Sequence, residues 1–284
     1  RDADLAFENG AVTFVGKGYQ GPVTTEGDGR NRMVMPGLID IHTHAQSETL
    51  RKGITDETHS PGFWHSSLYE HLPVYEPTDV EGNAACLSVS LGELLLSGVT
   101  TMVDLSGPFD GWLDALAGSG IRAVAAPFFR DARWFTRDGH KLDYDWNLEG
   151  GRKGFEKAQR VIDLAQQHPS GRLSGMVSPS QVDTCSEELL RDTHAYATER
   201  NLPWTIHAAQ SVTEFLEMQR RHGKTPMEWL ADIGVLDERS IIAHCIFFDH
   251  HPWLHWTSHK DLDRMRDSGA TVAHCPTVFT RRGI

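Results

Sequence analysis

Residues 35–44 constrain this chain more than any other part of its sequence. They read MPGLIDIHTH, an aliphatic run that ends in a His-Thr-His triplet. Because side chains alternate faces along a strand, His42 and His44 point the same way and Thr43 points the opposite way. Aliphatic residues on both faces are typical of a buried parallel strand in an α/β fold. The sequence therefore predicts a buried strand whose end presents two imidazoles that can share a metal ion.

After this strand, short apolar segments alternate regularly with amphipathic helical segments. Glycines stand at the ends of many of the helical segments, which favours repeated strand-helix units and a parallel sheet. Seven strands in this rhythm predict an α/β fold, a (β/α)₈ TIM barrel that stops one unit short. An open doubly wound sheet is the alternative, but no glycine-rich phosphate loop follows any strand. The strands expected after the first span residues 99–105, 122–129, 173–177, 204–208, 240–247 and 271–274.

The chain is expected to contain two domains. Residues 1–33 predict short strands, with a hairpin turn at Asn9-Gly10, and are expected to form part of a small β-sandwich domain. Residues 34–284 are expected to form the barrel. Within it, residues 45–77 lack a clear period and predict a lid or binding loop, in which Trp64 is a candidate substrate contact. The following helix is expected to start with a capping box of Thr78 and Glu81.

Composition limits the choice of partners and compartment. The formal net charge is −12 and there is no long basic run, which argues against a nucleic-acid partner. No apolar run approaches the roughly 20 residues of a membrane span, and the N-terminus does not resemble a signal peptide. The four cysteines lie far apart, which is typical of free thiols in a reducing compartment. We therefore expect a cytoplasmic protein that binds neither nucleic acid nor membrane.

Two further histidines stand at predicted strand ends. His207 ends the fifth strand and His244 the sixth. Because the C-terminal ends of barrel strands open on one face, these imidazoles are expected to converge with those of the first strand. Three nitrogen ligands with an open fourth position are typical of a catalytic zinc. A later loop also contains four histidines, and a solvated loop is the favoured interpretation over a second metal site there: His250, His251, His255 and His259.

Several segments, in the expected order, resemble the amidohydrolase superfamily. They are Pro36 to His44, Gly98 to Asp104, Thr184-Cys185-Ser186, His207, His244 and His274-Cys275-Pro276. The most similar branch contains cytosine and guanine deaminases, chlorohydrolases and triazine hydrolases. The resemblance implies one divalent metal ion, zinc or alternatively iron, held by His42, His44 and His207. It also implies that His244 orients or deprotonates the metal-activated water that attacks an electron-poor carbon.

The sequence departs from the family pattern beyond residue 276. The resemblance implies a ligand aspartate in a Gly-Thr-Asp segment, which this sequence does not reach. Because a seven-stranded barrel would have two unpaired edges, we expect the sequence to be part of a longer protein. The alternative is a form that lacks this ligand and general base.

The substrate-facing positions depart from the pattern as well. Deaminases of this branch have His-x-x-Glu on the fifth strand, where this chain has His207-Ala208-Ala209-Gln210. A primary amide cannot give up a proton as a carboxylic acid does, so Gln210 is expected to orient the substrate. Ser180 follows Pro179 where deaminases of adenosine-like substrates have histidine, which weighs against a nucleoside substrate. Ser180 is nevertheless a candidate substrate contact, and Trp134 and Phe135 are candidates for an aromatic pocket wall or for ordinary packing.

The sequence thus predicts a metal-dependent hydrolase that cleaves a C–N bond, by deamination, or a C–halogen bond of a small nitrogen heterocycle. The catalytic candidates are His244 and Gln210. Two alternatives stay open, a hydrolase of a non-aromatic or acyclic amide and a noncatalytic relative that lacks the glutamate and aspartate. The expected partner is a small heterocyclic substrate, with a homo-oligomer as an open alternative.

Overall fold

The computed structural model describes residues 3–55, 79–138 and 141–280. The chain divides into two compact units, Arg1–Gly37 and Leu38–Ile284. In the first unit, strands β1 (Asp4–Glu8) and β2 (Ala11–Gly16) form an antiparallel hairpin. Asn9 and Gly10 between them have φ values of 52° and 79°, the left-handed backbone that an Asn-Gly hairpin turn requires. The predicted hairpin is confirmed.

The second unit alternates strands with helices. Its strands are β3 (Leu38–Thr43), β4 (Val99–Asp104), β5 (Arg122–Ala125), β6 (Phe128–Phe129), β7 (Ala132–Thr136), β8 (Leu142–Trp146), β9 (Leu173–Gly175), β10 (Ser178–Pro179), β11 (Trp204–Ala208), β12 (Ser240–His244) and β13 (Thr271–Ala273). Its described helices are α1 (Glu48–Thr55), α2 (Val80–Leu96), α3 (Trp112–Gly118), α4 (Leu148–Gln166), α5 (Glu187–Glu199), α6 (Val212–His222), α7 (Pro226–Asp232), α8 (Asp261–Ser268) and α9 (Pro276–Thr280).

The barrel strands lie side by side in chain order. The parallel pairings run β3–β4–β5–β9, then β6–β10, then β11–β12–β13. Strands β9 and β10 together occupy one barrel position, and a parallel bridge from Val177, which lies between them, to Trp204 joins this position to β11. Sequential parallel strands with helical crossovers are the arrangement of a (β/α)₈ barrel. All seven predicted strand positions are confirmed, although several strands end a few residues earlier than expected.

Burial of the first barrel strand is the point at which the sequence was misleading. Leu38 is 51% exposed and Ile39 66% exposed, whereas both were expected to be buried. The reason is that β3 is an edge strand, which pairs only with β4 within the described ranges. The rest of β3, toward His42, is half-buried.

Two helices begin elsewhere than predicted because of their caps. The expected capping box at α2 is wrong: the Asp79 carboxylate accepts a hydrogen bond from the Gly82 N–H at 2.7 Å and is the N-cap, and Thr78 lies outside the described residues. The sequence pattern predicts a helix near residues 154–168, but α4 begins earlier, at Leu148. Its cap is Asn147, whose side-chain oxygen accepts from the Gly150 N–H at 2.8 Å. The Gly150-Gly151 pair lowers helix propensity, and the first turn was therefore not predicted from the sequence.

Strands β7 and β8 form an antiparallel hairpin that was not predicted. It follows β6, at the C-terminal end of the third barrel position, and its base is fixed where the Asp131 and Ala132 N–H groups both donate to the Thr184 carbonyl. An Asp138-Gly139 dipeptide between two aromatic-rich segments was the available signal.

The core contains two fully buried indoles that also hydrogen-bond. Trp204 packs in the largest apolar cluster, and its Nε1–H donates to Thr193 Oγ1 at 3.2 Å. The Trp112 Nε1–H donates to Asp104 Oδ2 at 2.8 Å. Buried indole N–H groups need such partners, so both bonds fix the orientation of the ring. Among the helices of the described ranges, none is both long and apolar enough to cross a bilayer.

Candidate active site

The four histidines singled out in the sequence lie together at strand ends. His42 is in β3, His44 directly follows it, His207 is in β11 and His244 is the last residue of β12. The His42 ring centroid lies 4.8 to 5.2 Å from those of the other three. One ring nitrogen from each of His42, His207 and His244 lies within 4.8 Å of the others. Residues far apart in sequence thus meet at the C-terminal face of the strands.

His44 and His207 show a donor geometry that fits a cation. Nδ1 of His44 lies 3.0 Å from the Leu105 carbonyl oxygen, and Nδ1 of His207 lies 2.5 Å from the Ser180 carbonyl oxygen. A carbonyl only accepts, so each Nδ1 carries the hydrogen and each Nε2 of a neutral ring presents a lone pair. The two Nε2 atoms are 3.1 Å apart. Two ligands at about 2.0–2.1 Å from one tetrahedral zinc are separated by a similar distance, about 3.3 Å.

The neighbouring strand β4 fixes the segment that presents His44. The Thr43 hydroxyl donates to the Val103 carbonyl at 2.7 Å. The carboxylate of Asp104 accepts from the Ala45 N–H at 3.3 Å as well as from the Trp112 indole. Burial raises the pKa of Asp104, and the hydrogen bonds from Ser106, Trp112 and Ala45 oppose this shift. This buried carboxyl therefore holds the main chain on the C-terminal side of His44.

A carboxyl also lies before His42, on the same face of β3. Asp40 Oδ1 accepts a hydrogen bond from the His42 N–H at 3.0 Å. Burial raises the pKa of Asp40, against the effect of that N–H.

Gln210 lies in a tight turn after β11. Ala209, before it, has a left-handed φ of 53°. Gln210 is half-buried, and its buried Nε2 makes no hydrogen bond of standard geometry among the described residues, although the amide interacts with the Glu214 carboxyl. The carboxyl of Glu214 accepts the N–H of Ala209 at 2.5 Å and that of Gln210 at 3.4 Å. Sequence reasoning missed Glu214, although Ser211-Val212-Thr213-Glu214 has the pattern of a capping box.

The other candidate substrate contacts have different surroundings. Ser180 is buried, and its carbonyl orients the His207 ring. Trp64 lies outside the described residues. Trp134 is half-buried in β7 and its Nε1–H donates to Asp183 Oδ2 at 2.8 Å, where the Tyr144 hydroxyl also donates at 2.7 Å. Asp183 is a second residue that the sequence reasoning missed.

In the part of the chain that the structure describes, the histidine cluster of His42, His207 and His244 is the one group with metal-binding geometry. No other group of three His, Cys, Asp or Glu side chains lies close enough there to hold one ion. The loop with His250, His251, His255 and His259 does not form such a group.

Comparison with known sequences places the chain in a family context. The sequence profile of the amidohydrolase family matches residues 33–278. A 5'-deoxyadenosine deaminase of Methanosarcina mazei is 28% identical over 274 residues, which are 96% of this chain and 57% of that protein. A 5-methylthioadenosine/S-adenosylhomocysteine deaminase of Pyrococcus furiosus is 25% identical over 281 residues, 99% of this chain and 61% of that protein. The chain therefore spans less than two thirds of the length of these relatives.

Solved structures with the same fold include a guanine deaminase from C. acetobutylicum with bound guanine. Its TM-score is 0.75 at 19% identity, with 100% of this chain and 64% of that chain covered. The atrazine chlorohydrolase of Arthrobacter aurescens TC1 complexed with zinc has a TM-score of 0.68 at 20% identity, with 99% and 62% covered. At such identities the likeness establishes the fold alone, and it confirms the TIM-barrel class predicted from the sequence.

Proposed function

Because this chain belongs to the amidohydrolase family, we propose that it is the metal-binding part of a hydrolase that cleaves a C–N or C–halogen bond of a small nitrogen heterocycle. One observation carries the proposal, the pair of Nε2 atoms of His44 and His207 that face each other at 3.1 Å beside His42 and His244. Two neutral imidazoles repel in this geometry unless a cation or a proton lies between them. The domain division at residues 33 and 34 and a cytoplasmic location are part of the same proposal.

The proposed metal ligands are His42, His44 and His207. A bound zinc ion would lower the pKa of a coordinated water toward neutrality and so provide a nucleophile at physiological pH. The carbonyl oxygens of Leu105 and Ser180 accept hydrogen bonds from Nδ1 of His44 and His207, respectively. They fix the tautomer in which Nε2 carries the lone pair, which supports a ligand role for both rings. Iron is the alternative ion.

His244 is proposed to accept the proton of the attacking water at an imidazole nitrogen. Its ring lies 5.2 Å from the rings of both His42 and His207, and its side chain is buried. A general base must lie within hydrogen-bond reach of the proton that it removes, and His244 would have that reach to a water held beside His42 and His207. The Phe279 ring packs on His244 at 5.2 Å and excludes solvent from one side.

Gln210 is proposed to bind the substrate through its side-chain amide, which is buried and interacts with the Glu214 carboxyl, while its Nε2 makes no hydrogen bond of standard geometry among the described residues. An amide can donate a hydrogen bond to a ring nitrogen or to a leaving group, but it cannot transfer a proton to it. In the proposed reaction a C–O bond forms and a C–N or C–halogen bond breaks. Chloride departs as an anion without a proton, whereas a leaving amine needs one. Because Gln210 cannot supply that proton, a halide is the second candidate leaving group.

The substrate class is supported by the relatives, which are deaminases of 5'-deoxyadenosine and of 5-methylthioadenosine and S-adenosylhomocysteine. We propose an aromatic nitrogen heterocycle with an exocyclic amine or halogen. Ser180, Trp64 and Gln210 stay the proposed substrate contacts.

The test is metal reconstitution followed by a substrate panel. The protein is stripped with a chelator, titrated with Zn²⁺, and assayed for ammonia and chloride release from purines, pterins and chlorotriazines. We expect close to one zinc per chain, and loss of zinc in His42→Asn and His207→Asn. His168→Asn is the matched control, since His168 is half-buried at a helix end and bonded to Ser170. A protein that takes up less than about a tenth of an equivalent of zinc, and gains no activity with any divalent metal, refutes the proposal.

A further inference from the structure

Three residues other than glycine have left-handed backbone at the ends of the two strands that carry His207 and His244. Ala209 has a φ of 53°, His244 of 79° and Cys245 of 53°. This backbone costs an L-residue roughly 1–2 kcal/mol. Such conformations persist only where surrounding contacts hold them, and they cluster at functional sites.

The two turns hold each other through the main chain. The Ala209 carbonyl accepts hydrogen bonds from the Ile246 N–H at 2.9 Å and from the Phe247 N–H at 2.8 Å. The Cys245 N–H donates to the Ala208 carbonyl at 3.2 Å. The turn that follows His244 is therefore attached to the two peptide groups on either side of Ala209, and its geometry depends on that of Ala209.

One side chain holds Ala209 in turn. Glu214, in the first turn of α6, is fully buried, and its Oε1 accepts the Ala209 N–H at 2.5 Å while its Oε2 lies 3.4 Å from the Gln210 nitrogen. Its own N–H donates to Ser211 Oγ at 3.0 Å, which fixes the start of the helix. A single carboxyl thus bridges two consecutive N–H groups of the turn.

We propose that Glu214 is a positioning residue that fixes the backbone beside Gln210 and His244 through hydrogen bonds. It holds the turn that aims Gln210 and, through the Ala209 carbonyl, the turn that fixes the backbone of His244. This inference rests on the proposed function for the roles of Gln210 and His244. The bonds that Glu214 makes do not depend on that function.

Burial of this carboxyl has a cost that a purely local cap does not explain. Burial raises the pKa of Glu214 well above its usual range and the charge of Asp183 raises it further, while the N–H groups of Ala209 and Gln210 and the side-chain amide of Gln210 oppose the shift. Elsewhere in the chain, the equivalent capping position is occupied at lower cost: Glu228 in α7 follows Thr225, whose Oγ1 accepts the Glu228 N–H at 3.0 Å, and its carboxylate pairs with Arg264 near the surface. Glu214 therefore differs from an ordinary capping glutamate in what its carboxyl binds.

The experiment compares Glu214→Gln with Glu228→Gln as the matched control. Both substitutions remove an acidic side chain at the third position of a Ser- or Thr-capped helix, and only the first disturbs the turns. In Glu214→Gln the amide nitrogen replaces an acceptor that faces an N–H group. We expect hydrogen exchange of the Ala209, Ile246 and Phe247 amides to accelerate at least tenfold, and the imidazole ¹⁵N signals of His244 to shift. Glu228→Gln should change neither.

A second arm uses rescue by glycine, which adopts positive φ without steric strain. Ala209→Gly alone should behave like the parent protein. Combined with Glu214→Gln it should restore slow exchange at Ile246 and Phe247, because the turn then needs less support. In the metal-loaded enzyme, Glu214→Gln should lower kcat at least tenfold with less than a threefold change in KM, and Ala209→Gly should recover part of that loss. If Glu214→Gln does not fold, Glu214→Asp replaces it, since the shorter side chain withdraws the oxygens but keeps the charge.

Unchanged exchange at Ala209, Ile246 and Phe247 in a folded Glu214 variant overturns the proposal. So does a loss of protection that Ala209→Gly does not repair, because the residue would then act through the helix and not through the turn. The exchange and ¹⁵N measurements need neither metal nor substrate. A protein that fails to bind zinc therefore refutes the proposed function and leaves the decision on Glu214 to these two readouts.

Discussion

Replacing Gln210 with glutamate tests whether this position decides the leaving group. Deaminases of the branch that the chain resembles carry glutamate there, and a general acid typically contributes 10²–10⁴-fold to a rate, or about 3–5 kcal/mol. The Gln210 side chain ends in a buried Nε2, and the Glu214 carboxyl lies at its backbone N–H. A carboxyl introduced beside another buried carboxyl has a raised pKa, because burial and the like charge both disfavour ionisation. A larger fraction of this carboxyl than of an exposed glutamate would therefore be neutral near pH 7, and the neutral form is the one that can protonate an amine.

We expect Gln210→Glu to raise kcat for ammonia release by about 10–100-fold, below the full range because the substitution also crowds two carboxyl groups. Chloride release should change less than about threefold, since chloride needs no proton. The ammonia rate should fall as pH rises through the pKa of the introduced acid, because only the protonated form donates.

The assay measures both products at saturating zinc from matched substrates, an aminated and a chlorinated form of one heterocycle. Gln219→Glu, in α6, is the control for adding a carboxyl to this part of the chain. Equal zinc content and an unchanged ammonia rate in Gln210→Glu would refute the reasoning, as would an equal gain with the chlorinated substrate.

Three further predictions concern stability. Asp183→Ala leaves the Tyr144 hydroxyl and a tryptophan N–H without their acceptor, so urea unfolding should show a loss of about 2–5 kcal/mol, against about 1 kcal/mol for Tyr144→Phe. Asn147→Ala removes the cap of α4 and should cost about 1 kcal/mol by the same measurement. Burial and the nearby charge of Asp131 raise the pKa of the Cys185 thiol to about 12. The unfolded chain therefore loses this proton first, and stability should fall above about pH 9 by roughly 1 kcal/mol per pH unit, a slope that Cys185→Ala should reduce.

The strand and helix order could be predicted because it depends on local patterns. Apolar runs, helical periodicity and glycines at helix ends recur in this chain with the spacing of strand-helix units, and β11 begins and ends where the sequence indicated. The β7–β8 hairpin was not predicted because its strands carry charged residues such as Arg133 and Asp143 among aromatic residues. These charges weaken the alternation of apolar and polar residues that indicates a strand. Burial of β3 was misjudged because exposure depends on which strands lie beside it, and a hydrophobic run does not state that.

The convergence of the histidines was predictable for a topological reason, while their chemistry was not. Parallel strands bring their C-terminal ends to one face, so a histidine at a strand end is placed near the others whatever its distance in sequence. The ring nitrogen that would face the proposed metal ion, however, is decided by the acceptors at Nδ1. For His44 and His207 these are the main-chain carbonyls of Leu105 and Ser180, which any residue type could supply. Side-chain patterns carry no trace of such contacts, so the tautomer on which the proposed cation site depends becomes visible only when neighbouring strands are in place.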